Sequence, residues 1–235
     1  PISSKMSYLI AIGTSVCGAT AIVATAPVIN AKKSEVAYAI ANITLFGVIA
    51  MIIYPYFAEW YFDNDALKIG LFLGTSIHET SQVAAAGLIY DQQFNSPETL
   101  NVATVTKLIR NTFLVILIPL FAILYNRGQL KNQKYSILSI FPYFVIGFIG
   151  MIIFRNIGDQ FFIPDGNAYI IWIKLIEYFK TLATVFLTMA MAAVGISINL
   201  NELKSMGYKP FIIGLIAAVT VGIISIISIE TFILI

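Results

Sequence analysis

Apolar residues run through this chain in long charge-free stretches, 6–31, 36–58, 111–126, 135–154, 181–201 and 210–229, with short polar segments among them. A helix rises about 1.5 Å per residue and the hydrocarbon layer of a bilayer is about 30 Å thick, so roughly 20 apolar residues make one crossing. All but one of the stretches reach that length. The run from Asn111 to Asn126 covers only about 24 Å, so its helix has to recruit preceding residues, which draws Arg110 and Lys107 toward the membrane. The pattern predicts helices at about 7–29, 36–57, 67–90 (interrupted), 98–126, 136–154, 169–200 (bent or divided near Lys180) and 210–234.

Two of these segments carry polar residues at their centres. Gly13-Thr14-Ser15-Val16-Cys17-Gly18-Ala19-Thr20 returns 61 residues later as Gly74-Thr75-Ser76-Ile77-His78-Glu79-Thr80-Ser81, and Pro55-Tyr56-Phe57-Ala58 is echoed weakly by Pro119-Leu120-Phe121-Ala122. Gly, Ser and Thr at midsegment predict a discontinuous helix, because freed backbone groups are tolerated only inside protein or beside a water-filled cavity. The plainer account is that Gly13, Ser15 and Gly18 let helices pack closely. If both segments fold back as re-entrant hairpins, the single crossing 36–57 separates them and they form an inverted pair. Lys5, Lys32, Lys33, Arg127, Lys131, Lys134, Lys204 and Lys209 then share one face, and Lys68 and Arg155 the other. If both span fully, the repeats run parallel.

Composition agrees with the pattern. Apolar residues make up 59% of the 235 positions and charged residues 11%, against roughly 45–50% and about 25% in soluble domains. The first apolar segment is too long for a signal peptide and lacks its small-residue cleavage site. The chain begins with Pro1, so further helices are expected to precede it. With one cysteine, Cys17, and one histidine, His78, neither an internal disulfide nor a metal site of the usual His/Cys type is expected. The basic residues sit in short loops and form no nucleic-acid surface.

The chemistry concentrates in Thr75-Ser76-Ile77-His78-Glu79-Thr80-Ser81-Gln82, where ionisable groups are costly to bury. Backbone N–H groups at a helix break, with the positive end of the following helix, bind anions, and Ser76, Thr80 and Ser81 add donors. His78 and Glu79 are candidates for proton exchange; alternatively Glu79 caps the helix beginning near Thr80 and His78 bonds a carbonyl. His78-Glu79 begins an HExxH pattern, but Gln82 occupies the second histidine position, which removes a zinc protease. No nucleophile elbow or P-loop is present, and the chain is not expected to be an enzyme. Lys107 and Arg110 lie three apart on one helical face and need a counter-charge there, which an anionic substrate supplies; snorkelling to the headgroups is the alternative. Lys174, Glu177 and Lys180 read as exposed ion pairs, and Asn42, Thr44, Ser197 and Asn199 as cavity lining or helix-to-helix hydrogen bonding.

The two tip sequences, continued by Ala24-Thr25-Ala26-Pro27-Val28-Ile29 and by Thr106-Lys107-Leu108-Ile109-Arg110, resemble the signatures of the YeiH-like sulfate-exporter family of bacterial inner-membrane proteins. The resemblance covers essentially the whole chain. It implies an all-α fold of about ten helices, of which about seven segments fall in this chain, related to cation-proton antiporters and bile-acid symporters, with inverted repeats and discontinuous helices meeting at midmembrane. Glu79 stands where that family has Asp, and Asn199 where it has Asp.

The expectation is therefore a multi-pass transport domain, residues 1–235, in the bacterial cytoplasmic membrane. It would move a small inorganic or organic anion such as sulfate, sulfite or an organosulfonate by alternating access, with proton coupling through His78 and Glu79. Expected substrate contacts are Thr14, Ser15, Cys17, Gly18, Thr75, Ser76, Thr80, Ser81, Gln82, Lys107 and Arg110. No cofactor, metal or nucleic acid is expected; membrane lipid is, and a homo-oligomer is compatible. The other readings are a sodium/proton antiporter built on Glu79 and a non-transporting membrane scaffold.

Overall fold

The computed structural model describes residues 3–27, 29–114, 116, 117, 120, 143–162, 167–197 and 208–233, and every regular element among them is a helix. They fall into two compact units, 1–140 with 198–235, and 141–197.

In the first unit the two broken segments are discontinuous as the sequence predicts. The first consists of α1 (Ser4–Ser15) and α2 (Gly18–Thr25) and the second of α4 (Ala66–Ser76) and α5 (Thr80–Phe94), so the first helix of each pair stops at the same position of the repeat, Ser15 and Ser76. Between them runs α3 (Lys33–Phe62), followed after the second pair by α6 (Pro97–Thr112) and α9 (Lys209–Phe232). Local chemistry sets the boundaries. Ser3 and Asp65 accept from the N–H groups of Met6 and Lys68, at 3.2 and 3.0 Å, and so cap α1 and α4. Asp63 and Asn95 close α3 and α5 in the left-handed conformation, and Pro97 opens α6.

Both pairs fold back as hairpins. Lys5 Nζ, at the start of α1, donates to the carbonyl of Asn30 beyond the end of α2 at 2.6 Å, and the Ser3 hydroxyl bonds Glu35 at the start of α3. In the second pair the Thr99 hydroxyl on the first turn of α6 reaches the Ala66 carbonyl, while Leu100 packs on Gly87 and Asn111 Nδ2 bonds Thr80 Oγ1 at 3.1 Å. Thus α4 runs parallel to α6 and α5 antiparallel to it. Tyr90 on α5 donates to Glu59 near the far end of α3 at 2.5 Å, so this hairpin is rooted where α3 ends, and the first is rooted where α3 begins. The hairpins enter from opposite ends of α3 and form the inverted pair. Their tips meet beside its middle, where Gln82 Nε2 donates to the Thr44 carbonyl at 3.1 Å and Gln82 packs on Gly47.

α9 lies alongside. Asn42 Nδ2 donates to the Pro210 carbonyl at 2.9 Å, Thr75 and Ser225 hydroxyls lie 2.5 Å apart, and Lys68 and Glu230 are paired at 3.7 Å. α9 therefore runs with α3 and against α4. Both α3 and α9 are long and apolar enough to cross a membrane. The core between them is aromatic and aliphatic, with Phe62, Phe72, Leu73, Ile77, Val83 and Ile229 all buried. The outer sides of both helices expose Ile49, Ile52, Ile53, Ile216, Ile223 and Ile227, as a lipid-facing surface does.

In the second unit α7 (Tyr143–Phe161) is joined to α8 (Asn167–Ser197) through Trp172, whose indole N–H donates to Asp159 Oδ1 at 2.8 Å. Arg155 pairs with Asp159 one turn on at 2.6 Å.

Three expectations are corrected. α8 is not divided near Lys180, because charges at 174, 177 and 180 on an exposed face leave the backbone ladder intact. α7 continues past Phe154 because the Arg155–Asp159 pair keeps polar residues helical. The helix expected over 98–126 is interrupted by a turn at Phe113, after α6 ends at Thr112; helical backbone returns at Leu114, Ile116, Leu117 and Leu120, and the other residues up to 126 lie outside those described. Arg127, Lys131, Lys134, Asn199 and Lys204, together with Pro119, Phe121 and Ala122 of the weak echo, lie outside the described residues.

Candidate functional site at the hairpin junction

Breaking two helices at the same depth leaves carbonyls without partners at the ends of α1 and α4, and N–H groups without partners at the starts of α2 and α5. Two negative and two positive helix ends converge, each worth about half a charge.

α6 answers the negative ends. Lys107 is fully buried and its ammonium donates to the carbonyls of Val16, Ile77 and His78, at 2.9, 2.8 and 2.6 Å. Those are all the donors an ammonium has. Arg110, one turn on, donates through Nε to Ser15 O at 2.8 Å, through Nη1 to Thr75 O and Ile77 O at 2.5 and 3.3 Å, and through Nη2 to Thr14 O. Each cation bridges both hairpins. Both cations are thus held by backbone carbonyls of the two tips and not at the headgroups; the carbonyls carry partial charge only, so the formal charge of the pair is not cancelled by them.

Glu79 answers one of the positive ends. Its backbone takes the capping position of α5, as expected, but its carboxylate crosses to the other hairpin and accepts from Ala19 N at 2.5 Å, at the start of α2. Gln82 Oε1 accepts instead from Glu79 N, at 3.3 Å. The repeat explains the geometry. Glu79 corresponds to Gly18, and a side chain at Gly18 would collide with the Glu79 carboxylate, so the junction has room for only one of the two. Gly18 also sits at φ +46°, which L side chains rarely adopt. Gly18→Ala is expected to destabilise the protein by about 1–3 kcal/mol, read as a lowered melting temperature of the purified protein. Gly147→Ala, where nothing lies within 4 Å of the added methyl, is expected to leave it unchanged or raise it.

The remaining sequence candidates are distributed around this centre. Thr14, Ser15, Thr75 and Ser76 donate back to the carbonyls of Ile10, Ala11, Leu71 and Phe72, four residues earlier. Ser76 is buried, so the donor role expected of it is occupied by its own helix. Cys17 Sγ and Thr80 Oγ1 are 3.8 Å apart across the two tips, and Ser81 is half-buried on the first turn of α5. His78 is buried, and its Nδ1 has no hydrogen-bond partner among the described residues. Asn42 bonds across helices, as the plainer account has it. No group of three or more His, Cys, Asp or Glu able to hold a metal occurs among the described residues.

A cleft of about 520 Å³ opens from the junction along α9, lined by Arg110, Ser15, Thr75, Ser225, Ser228 and an apolar wall that includes Leu71, Val221 and Phe232. Sequence reasoning missed Asn111, Ser225 and Ser228. Each had a signal: Asn111 stands one turn beyond Lys107 on the same face, and Ser225 and Ser228 share a face of an otherwise apolar helix.

No solved structure matches the chain. The family model described as "Conserved hypothetical protein 698" matches residues 1–214. A UPF0324 membrane protein of Fusobacterium nucleatum is 37% identical over 231 residues, which cover 96% of this chain and 66% of that protein. One of Streptococcus agalactiae is 35% identical, with 95% and 63% covered. The UPF0324 inner membrane protein YeiH of Escherichia coli K12 is 31% identical, with 92% and 57% covered. The chain thus spans less than two thirds of the length of these relatives. The all-helical fold, the apolar outer faces of α3 and α9 and these matches together make the chain a membrane protein of the YeiH-like UPF0324 family.

Proposed function

We propose that this chain is the substrate-handling part of a secondary transporter of a small anion, such as sulfate, sulfite or an organosulfonate, in the bacterial inner membrane. The observation that carries the reading is the charge balance at the junction. The four helix ends cancel in pairs, whereas two cations, Lys107 and Arg110, face one carboxylate, Glu79. A net positive charge is costly at midmembrane unless a mobile anion visits it. Opposed hairpins meeting tip to tip give the anion a seat that rocking of one repeat against the other exposes to either side in turn. The face bearing Lys5, Lys32 and Lys33 is assigned to the cytoplasm by the positive-inside rule, so the cleft end at Phe232 faces outward.

Labelled sulfate, sulfite and methanesulfonate flux into proteoliposomes containing the complete protein tests this. Wild type is expected to carry at least one of them, and Arg110→Gln to lose most of that flux. Sodium flux coupled to protons, with no anion flux, would instead support the antiporter reading, in which Glu79 is the carrier.

A further inference from the structure

We propose that the cleft is built for an organic anion bearing an apolar tail, such as an alkyl sulfonate or alkyl carboxylate, and not for a bare inorganic oxyanion. The inference rests on the anion-transport reading and names its substrate class.

The head position is set by Arg110. A guanidinium has five N–H donors in a fixed fork. Four carbonyls, of Ser15, Thr75, Ile77 and Thr14, take bonds from Nε, Nη1 and Nη2, which leaves one Nη2 hydrogen without an acceptor among the described residues. Arg110 lines the cleft together with Ser15, Thr75 and Ser225. Lys107 has no donor left and does not line the cleft, so the charge that reaches the ligand is that of Arg110 alone.

The tail follows from the rest of the wall. Beyond Ser225 only Ser228 adds a hydroxyl; Val221, Ile224, Ile229, Phe232, Ile233 and Leu71 make up the remainder. From Ser225 to Phe232 the helix advances about 10 Å. An inorganic oxyanion occupies the space of a few waters of about 30 Å³ each, and would leave most of a 520 Å³ apolar cleft unfilled. An alkyl chain laid along α9 from Arg110 toward Phe232 fills it, and each methylene removed from water adds about 0.8 kcal/mol, or about fourfold in affinity.

The test is binding of methane-, ethane-, butane- and hexanesulfonate and of sulfate to the complete protein in phosphatidylcholine nanodiscs, with empty nanodiscs as the blank. Affinity is expected to rise about fourfold per methylene over the first members of the series. Ser228→Trp, about one turn beyond Ser225 toward Phe232 and away from the head position, is expected to abolish that rise while methanesulfonate still binds. Sulfate and hexanesulfonate bound alike, with sulfate flux intact, overturns the inference and leaves anion transport standing. Absence of flux for every anion overturns the transport reading beneath it. Loss of hexanesulfonate binding when phosphatidylglycerol replaces part of the phosphatidylcholine also overturns it, because the cleft is then a seat for anionic lipid.

Discussion

Lys107→Met is expected to destabilise the protein by about 3–5 kcal/mol, the cost of removing one side of a buried charge arrangement. Methionine fills much of the same volume but leaves the carbonyls of Val16, Ile77 and His78 without a donor. Each buried carbonyl left unsatisfied costs about 1–3 kcal/mol. Lys107 is fully buried and its three acceptors come from both tips, so the loss separates the hairpins as well as weakening each. The measurement is the melting temperature and yield of the purified variant. Lys107→Arg is not expected to rescue it, since a planar fork does not reproduce three converging bonds to one nitrogen in an enclosed site. A Lys107→Met protein that melts like the wild type would show that the tips are held by other contacts.

Glu79→Gln is expected to leave the fold intact and to remove the pH dependence of anion binding. Glutamine keeps an oxygen that can accept from Ala19 N, so α2 stays capped, but the negative charge is gone. In the wild type a bound anion and the Glu79 carboxylate repel one another at the same junction. Binding therefore favours the protonated acid, and affinity falls as pH rises through its titration. In Glu79→Gln no proton is taken up, so affinity is flat with pH and, at high pH, higher than in the wild type. The check is anion binding between pH 5 and 9 by both proteins, with flux under an imposed pH gradient beside it. Equal pH dependence in the two would assign the coupling elsewhere, with His78 the next group to replace. Glu79→Ala is the harsher change: it leaves Ala19 N uncapped and is expected to lose about 1 kcal/mol of stability as well.

The sequence by itself determined that the chain is helical and which two segments break. Charge-free runs long enough to cross a bilayer have no other stable form there, because every backbone group must be satisfied within the segment. The doubled Gly-Thr-Ser signature marked the two segments that break, and the structure puts the helix ends at Ser15 and Ser76, whose hydroxyls bond back to their own helices. Length arithmetic also drew Lys107 and Arg110 inward, before any partner for them was known.

Only the tertiary structure decided what those residues touch. Positive charge three residues apart on a helix is the same in sequence whether it meets a substrate, a headgroup or a carbonyl. The choice was made by the opposed entry of the two hairpins, which brings the ends of α1 and α4 to one point beside α6. Likewise Glu79 looks like the cap of its own helix in sequence, and it caps the helix of the other repeat because Gly18, 61 residues earlier, leaves a space that only the folded junction creates. The cleft along α9 was not legible for the same reason. Its hydroxyls are ordinary residues of an apolar helix until antiparallel packing sets Ser225 against Thr75 and turns that face toward Arg110.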